Sequence, residues 1–270
     1  MSATERFSSV YEVFSSTAIE KPGSSFFCIP PLGTRDYHPD GADFSYSEMF
    51  SIINELKEAY AAAGYGLGHR VALLLENRPE FFHHFLALNS LGVGIVPVNP
   101  DYRLDEMRYL LNHSEACLIV SISKRIEDCL AAAANTEYPP KVVDVYDLPR
   151  DFPFPRYTKK NGSPGLSSEA ALLYTSGTTG RPKGCVLSNF YMINSGDGYT
   201  SLSGAAMMHP GQERILNPLP LFHMNALAVT SVGMMLTGNC LISPDRFHPS
   251  SWWSDLNITK ATIFNYLGVV

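Results

Sequence analysis

Between residues 44 and 146, short apolar runs alternate with segments of helical period, and this alternation restricts the fold more than any other feature of the sequence. Ser45 with Glu48 three residues on forms a capping box. Behind it Met49, Phe50, Ile53, Leu56 and Tyr60 fall at helical spacing, and Gly64 ends the helix. Arg70 to Leu75 reads as a buried strand. Pro79 opens a second helix through Phe82, Phe85, Leu86 and Leu88, closed by Gly92. Gly94 to Val98 is the next strand. Leu104, Met107, Leu110 and Leu111 mark a third helix, and Ala116 to Val120 a third strand. Ser123 to Ala134 reads as a fourth helix and Lys141 to Tyr146 as a fourth strand. Strands separated by helices predict an α/β fold of mostly parallel sheets with helices on both faces. In such sheets ligands gather at the carboxyl ends of the strands.

The rest of the chain is organised around this block. Residues 1–43 read as an irregular lead-in, punctuated by Pro22-Gly23, Pro30-Pro31 and Pro39-Asp40-Gly41. Residues 44–146 form a first α/β subdomain. Residues 147–168, rich in Pro, Gly, Ser and Lys, read as an exposed linker. Residues 169–270 form a second α/β subdomain. In it Ala170 to Tyr174, Arg214 to Leu219, Cys240 to Ser243 and Ala261 to Leu267 read as strands, and Ala226 to Leu236 and Pro249 to Leu256 as helices. Val270 follows an apolar strand with no turn or polar tail, so the chain is expected to be the truncated front part of a longer protein.

Charge and cysteine usage exclude several function classes. The net charge is −6, with 20 Lys+Arg against 26 Asp+Glu, and no basic run occurs. Neither nucleic acid nor an anionic lipid surface is an expected partner. No uninterrupted apolar stretch reaches about 18–20 residues, so no integral membrane segment is expected. The N-terminus lacks the basic start and apolar middle of a secretory signal, which predicts a cytoplasmic protein. Cys28, Cys117, Cys129, Cys185 and Cys240 are odd in number, scattered and without a CxxC pair. They read as thiols of a reducing compartment rather than disulfides or zinc ligands.

The segment that carries chemistry is Tyr174-Thr175-Ser176-Gly177-Thr178-Thr179-Gly180-Arg181-Pro182-Lys183-Gly184. A buried strand delivers the chain into it. Its glycines let a ligand approach the backbone amides closely, and consecutive amides in such a turn bind anions. Thr175, Ser176, Thr178 and Thr179 add hydroxyl donors without charge. Lys183 supplies a mobile positive charge suited to phosphate oxygens, and Pro182 stiffens the exit. The pattern is not a Walker A loop, since no hydroxyl residue follows Lys183, and it is not the G-x-G-x-x-G of dinucleotide folds.

This segment resembles the phosphate loop of the adenylate-forming enzymes, which include acyl-CoA synthetases, luciferases and peptide-synthetase adenylation domains. Leu91-Gly92-Val93-Gly94-Ile95-Val96-Pro97-Val98-Asn99-Pro100 is similar to the family's early strand and turn. Pro218-Leu219-Pro220-Leu221-Phe222-His223-Met224-Asn225-Ala226 is similar to its Pro-Leu-Phe-His segment. The resemblance implies an ATP-dependent carboxylic acid–CoA ligase. Acid and ATP, with Mg²⁺, would give an acyl-adenylate and pyrophosphate, and coenzyme A would then take the acyl group. Thr175, Ser176, Gly177, Thr178, Thr179, Gly180 and Lys183 would hold the phosphates, with Lys183 also in a catalytic role. Thr175 would be the hydroxyl nearest the metal. His223 would be catalytic beside the carboxylate, and His223, Asn225, Tyr266 and Gly268 would line the acyl pocket. Asn225 and Ala226 stand where many relatives have glycine shortly after the histidine.

The family's later Tyr-Gly-x-Thr-Glu and Thr-Gly-Asp motifs, its hinge and its lysine-bearing C-terminal domain do not occur in these residues. The 270 residues alone are therefore expected to have little ligase activity, and the full protein to be the enzyme. Within the superfamily, the other readings are an adenylation domain or a luciferase-like enzyme. No Asp stands in Leu219–Leu227 to bind an amino group, which favours a CoA ligase, and the Pro-Leu-Phe-His-Met-Asn-Ala run looks similar to crotonobetaine/carnitine-type ligases. A non-catalytic nucleotide-binding protein is the alternative if the chain ends at 270. Homo-oligomerisation stays open. His83 and His84, adjacent on a helix, point in different directions and do not make a metal pair. Trp252 and Trp253 read as helix packing, and Asp101 and Asp105-Glu106 as helix caps. No G-x-S-x-G occurs.

Overall fold

The computed structural model of the chain describes residues 2–175 and 182–267. In chain order it runs α1 (Ala3–Arg6), α2 (Val10–Glu20), β1 (Ser25–Ile29), β2 (Ala42–Ser45), α3 (Tyr46–Ala62), β3 (Arg70–Leu74) and α4 (Pro79–Ser90). Next come β4 (Gly94–Pro97), α5 (Leu104–Ser114), β5 (Leu118–Ser121), α6 (Ile126–Ala134), β6 (Lys141–Asp144), β7 (Glu169–Thr175), β8 (Lys183–Ser188) and α7 (Asn189–Thr200). The last elements are β9 (Arg214–Leu216), a π-helical turn (Asn225–Thr230), α8 (Ser231–Thr237), β10 (Cys240–Ile242), α9 (Trp252–Ile258) and β11 (Ile263–Phe264). The chain forms two compact units.

One unit comprises Ile53–Glu76 and Glu80–Phe190. Its sheet has six strands in the order β6-β5-β3-β4-β7-β8, parallel except for the final β7–β8 pair. Apart from Arg70 at the start of β3, the strands β3, β4 and β5 are buried, with apolar residues 71–74, 95–97 and 118–120, as in a parallel sheet covered on both faces. The alternation read from the sequence is realised here, element by element, from β3 to β6.

The other unit comprises Met1–Ile52, Asn77–Pro79 and Tyr191–Val270. Its sheet has five strands in the order β11-β9-β10-β1-β2, with β1–β2 antiparallel and the others parallel. Phe14, Phe26 and Tyr46 meet at ring separations of 5.0–5.5 Å in its interior. The Tyr46 hydroxyl donates to Met234 O and Asn239 O. Such aromatic contacts add about 0.5–1.5 kcal/mol each beyond the area they bury.

Three expectations change. Residues 1–43 are not irregular: α2 is capped by Ser9, whose Oγ accepts from Glu12 N at 3.1 Å, and it buries Val13, Phe14 and Ala18. β1 then lies inside the sheet. Four to five apolar residues between prolines carry too little periodicity to declare a strand. Secondly, the division between the sheets does not follow the 147–168 linker. That segment returns the chain so that β7 pairs beside β4, Ile95 against Ala171, and β8 extends the same sheet. Thirdly, Ala226 to Leu236 is not one regular helix. It opens with the π-helical turn and continues as α8, which Gly238 ends at φ 67°.

Candidate functional site

β7 is buried from Ala170 to Tyr174 because it has a strand on each side. Thr175 is its first exposed residue, and its ladder partner is Lys183, also exposed. The pair stands at the carboxyl end of β7, where α/β sheets present ligand sites. The two ends of the glycine-rich segment are thus held one strand spacing apart, at about 5 Å. Ser176, Gly177, Thr178, Thr179 and Gly180 lie outside the described residues.

The strand that delivers this segment is fixed at both ends. At its start Glu169 takes a bidentate ion pair from Arg70, at 2.7 and 2.8 Å, and Arg70 also donates to Ser114 O. Near its end the Tyr174 hydroxyl lies 2.7 Å from His113 Nδ1. Burial holds the Tyr174 phenol above its ordinary range, so the hydroxyl keeps its proton. The Tyr109 hydroxyl donates to Pro182 O at 3.1 Å.

His223 belongs to the other unit, in the turn that follows β9. Asn77 holds this turn: its Nδ2 donates to Leu219 O at 3.1 Å and Pro244 O at 3.0 Å, and its Oδ1 accepts from Leu221 N at 2.9 Å. His223 N donates to Pro220 O, and His223 O accepts from Leu227 N, so the residue is both turn closure and helix start. Its ring lies 4.5 Å from that of Phe222. Partial enclosure lowers its pKa, which keeps the imidazole neutral at neutral pH. A neutral ring offers one donor and one acceptor to a substrate.

Asn225 opens the π-helical turn and joins a polar network. The Tyr199 hydroxyl donates to Asn265 Oδ1 at 2.9 Å. Asn265 Nδ2 and Asn217 Nδ2 both donate to Thr230 Oγ1, at 2.8 and 3.0 Å. The remaining Thr230 proton turns to Asn225 Oδ1 at 3.4 Å. One hydroxyl, with two acceptor sites and one proton, is used in full. The network ties Asn225 to the β11 strand end, next to Tyr266. The Tyr266 ring itself is exposed and lines an aromatic cleft of about 290 Å³ with Phe247, Trp252 and Phe264. Gly268 lies outside the described residues.

Of the residues expected from the sequence, Thr175 and Lys183 face each other across the β7–β8 ladder in one unit, and His223 and Asn225 stand two positions apart in the other. Sequence reasoning missed Asn77, Asn217, Tyr199, Thr230, Tyr109 and His113. Asn217, a polar residue directly at a strand's carboxyl end, carried a usable signal; the others are recruited from distant segments without local pattern. His84 is buried, hydrogen-bonds Tyr60 at 2.8 Å and has its pKa pushed down to about 3 by desolvation. Among the described residues no group of three His, Cys, Asp or Glu side chains converges to hold a metal ion. Thr175 alone offers Mg²⁺ a single hydroxyl, short of the carboxylates and waters that ion prefers. The described residues therefore do not by themselves form a magnesium site. Trp252 packs against Phe247 and Phe264 and against the cluster of Cys28, Leu216, Cys240 and Ile242.

The family model described as AMP-binding enzyme matches residues 30–269. The chain is 28% identical over 231 residues to the sulfoacetate–CoA ligase of Cupriavidus necator, covering 80% of this chain and 43% of that protein. It is 27% identical over 232 residues to the crotonobetaine/carnitine–CoA ligase of Escherichia coli O127:H6, covering 82% and 44%. The chain thus spans less than half the length of the curated relatives it matches. Its fold is similar to the N-terminal domain of FACL13 from Mycobacterium tuberculosis, at TM-score 0.77 and 23% identity over 96% of this chain and 62% of that one. It is also similar to the o-succinylbenzoate coenzyme A synthetase of Bacillus subtilis in complex with ATP and magnesium ion, at TM-score 0.73 and 22% identity over 93% and 62%.

Proposed function

The chain belongs to the AMP-binding enzyme family, and from that premise we propose that it is the N-terminal part of an ATP-dependent carboxylic acid–CoA ligase. The acid carboxylate attacks the α-phosphorus of ATP, giving an acyl-adenylate and releasing pyrophosphate. The thiol of coenzyme A then takes the acyl group and AMP leaves. Bound to the nucleotide's phosphates, Mg²⁺ would supply neutralisation of their charge, and of the described residues Thr175 would offer it one hydroxyl. A cytoplasmic location supplies both co-substrates.

The observation that carries this reading is the Thr175–Lys183 pair at the carboxyl end of β7, where a Gly/Ser/Thr segment leaves and rejoins the sheet. Lys183 and the segment's hydroxyls and amides meet the β- and γ-phosphates and stabilise the charge that develops as pyrophosphate departs. His223, neutral and at the head of a helical turn, orients the acid's carboxylate by hydrogen bonding. Asn225 contributes a carboxamide to the acyl pocket. Its polar surroundings, Asn217, Thr230 and Asn265, support an acid whose chain carries a hydrogen-bonding group. The names of the sulfoacetate and crotonobetaine/carnitine ligases support the same class.

The test is pyrophosphate release by the intact protein with ATP and a panel of polar and aliphatic acids. Adenylates are trapped as hydroxamates, and thioesters are measured on adding coenzyme A. Release of pyrophosphate with at least one acid, and thioester formation with the same acid, is expected. Failure to form an adenylate with any acid would sink the proposal.

A further inference from the structure

Two aromatic side chains on α5 grip both residues that flank the glycine-rich segment. Tyr109 donates to Pro182 O at 3.1 Å, one residue before Lys183. His113 holds the Tyr174 hydroxyl at 2.7 Å, one residue before Thr175. The two rings are four positions apart, on one face of the helix, and they stack at 5.6 Å with 26° between their planes. The His113 ring also abuts the returning strand, since a Cβ at Gly184 would lie 3.5 Å from its Cε1.

From this convergence we infer that Tyr109 and His113 are positioning residues for the triphosphate of the nucleotide, a role that rests on the ligase reading above. Neither ring needs to touch the ligand. Among the described residues the last ladder pair is Thr175 with Lys183, and the carbonyl of Pro182, the residue before Lys183, accepts from Tyr109. The bond from Tyr109 sets where the chain re-enters the sheet, and with it the direction from which Lys183 projects. The bond between Tyr174 and His113 does the same for Thr175. Because the rings are stacked as a unit, the two ends move together with α5 rather than independently. A constraint of this kind pre-organises phosphate donors, so its loss appears in nucleotide binding before it appears in acid binding.

The experiment uses the intact protein and reads steady-state pyrophosphate release, with KM for ATP and for the acid measured separately. The variants are Tyr109→Phe, His113→Leu and His113→Asn, the last retaining a hydrogen-bonding group close to the Nδ1 position. Tyr109→Phe and His113→Leu are expected to raise KM for ATP about three- to tenfold, the reach of one lost hydrogen bond. The acid KM should stay within about twofold, and His113→Asn should restore most of the ATP KM. Tyr109→Phe removes a single oxygen, so it decides the matter even if His113→Leu fails to fold. An ATP KM unchanged in Tyr109→Phe, or an acid KM that rises in step with it, would overturn the clamp while leaving the ligase reading standing. A wild-type protein that turns over no acid would overturn both.

Discussion

Asn77 and Leu221 are joined by a 2.9 Å hydrogen bond, the Leu221 amide donating to the Asn77 carboxamide oxygen across 144 residues of sequence. With the two bonds from Asn77 Nδ2 to Leu219 O and Pro244 O, this one residue satisfies three backbone groups of the segments around His223. Asn77 is itself almost fully buried, so no water replaces it readily. Asn77→Ala is therefore expected to cost about 2–4 kcal/mol, since each orphaned buried group costs about 1–3 kcal/mol. Urea unfolding of the purified variant measures this. A shift below about 1 kcal/mol would mean that the turn is held by other contacts.

Lys183 gives the opposite signature. It is exposed at the end of the β7–β8 ladder, so Lys183→Ala should leave the melting temperature unchanged. On the proposed function it should lower kcat/KM for ATP about a hundredfold, the usual loss on removing one preorganised charge-stabilising donor. Thr178→Ala tests the same segment. Pyrophosphate release by the intact protein reads both variants, and undiminished turnover in the pair would dismiss the phosphate-binding role.

His84 makes stability depend on acidity. Folding buries the neutral ring against Tyr60 and pushes its pKa from 6.5 to about 3, chiefly by desolvation and then by the neighbouring His83. The unfolded chain therefore takes up a proton that the folded protein refuses. The stabilisation is complete above pH 6.5 and drains away as the pH falls from there towards 3, at about 2 kcal/mol between pH 6.5 and 5. Urea unfolding at several pH values should show this slope in the wild type and a shallower one in His84→Asn. Equal slopes would exclude His84 as the cause.

Gly196 on α7 is a site of close helix contact. A Cβ there would stand 2.8 Å from Gly233 N and 2.9 Å from Val232 C, both backbone atoms. Neither can yield without moving α8 or the turn before it. Gly196→Ala is expected to destabilise the protein by about 1–3 kcal/mol, although alanine favours a helix over glycine by up to about 1 kcal/mol. A thermal melt settles the sign, and a stabilised variant would show that the helices part at little cost.

The parts of this molecule that were legible in its sequence are those written in local pattern. The Ser45–Glu48 capping box forms as read, with Ser45 N donating to Glu48 Oε2 at 2.8 Å and Glu48 N to Ser45 Oγ at 3.2 Å. The strands and helices from Arg70 to Asp144 follow their periodicity, because an amphipathic helix or a doubly covered strand stamps its burial on neighbouring residues. β1 escaped detection because five residues bounded by prolines hold no such stamp. Lys183–Ser188 escaped because β8 is the exposed edge of its sheet and shows mostly half-covered or exposed positions.

By itself, then, the amino-acid order determined the alternation that makes parallel sheets, and the Gly, Ser, Thr and Lys composition at the end of a strand on which the proposed phosphate site rests. Tertiary structure alone decided that Phe27 pairs with Leu241, that β7 joins the sheet of β4 across a proline-rich linker, and that Tyr199, Asn217, Asn225, Thr230 and Asn265 share one network. Hydrogen bonds and burial within a few residues leave a periodic trace in the chain. Pairings between distant segments depend on which surfaces close over a common core, and no short-range pattern records that choice.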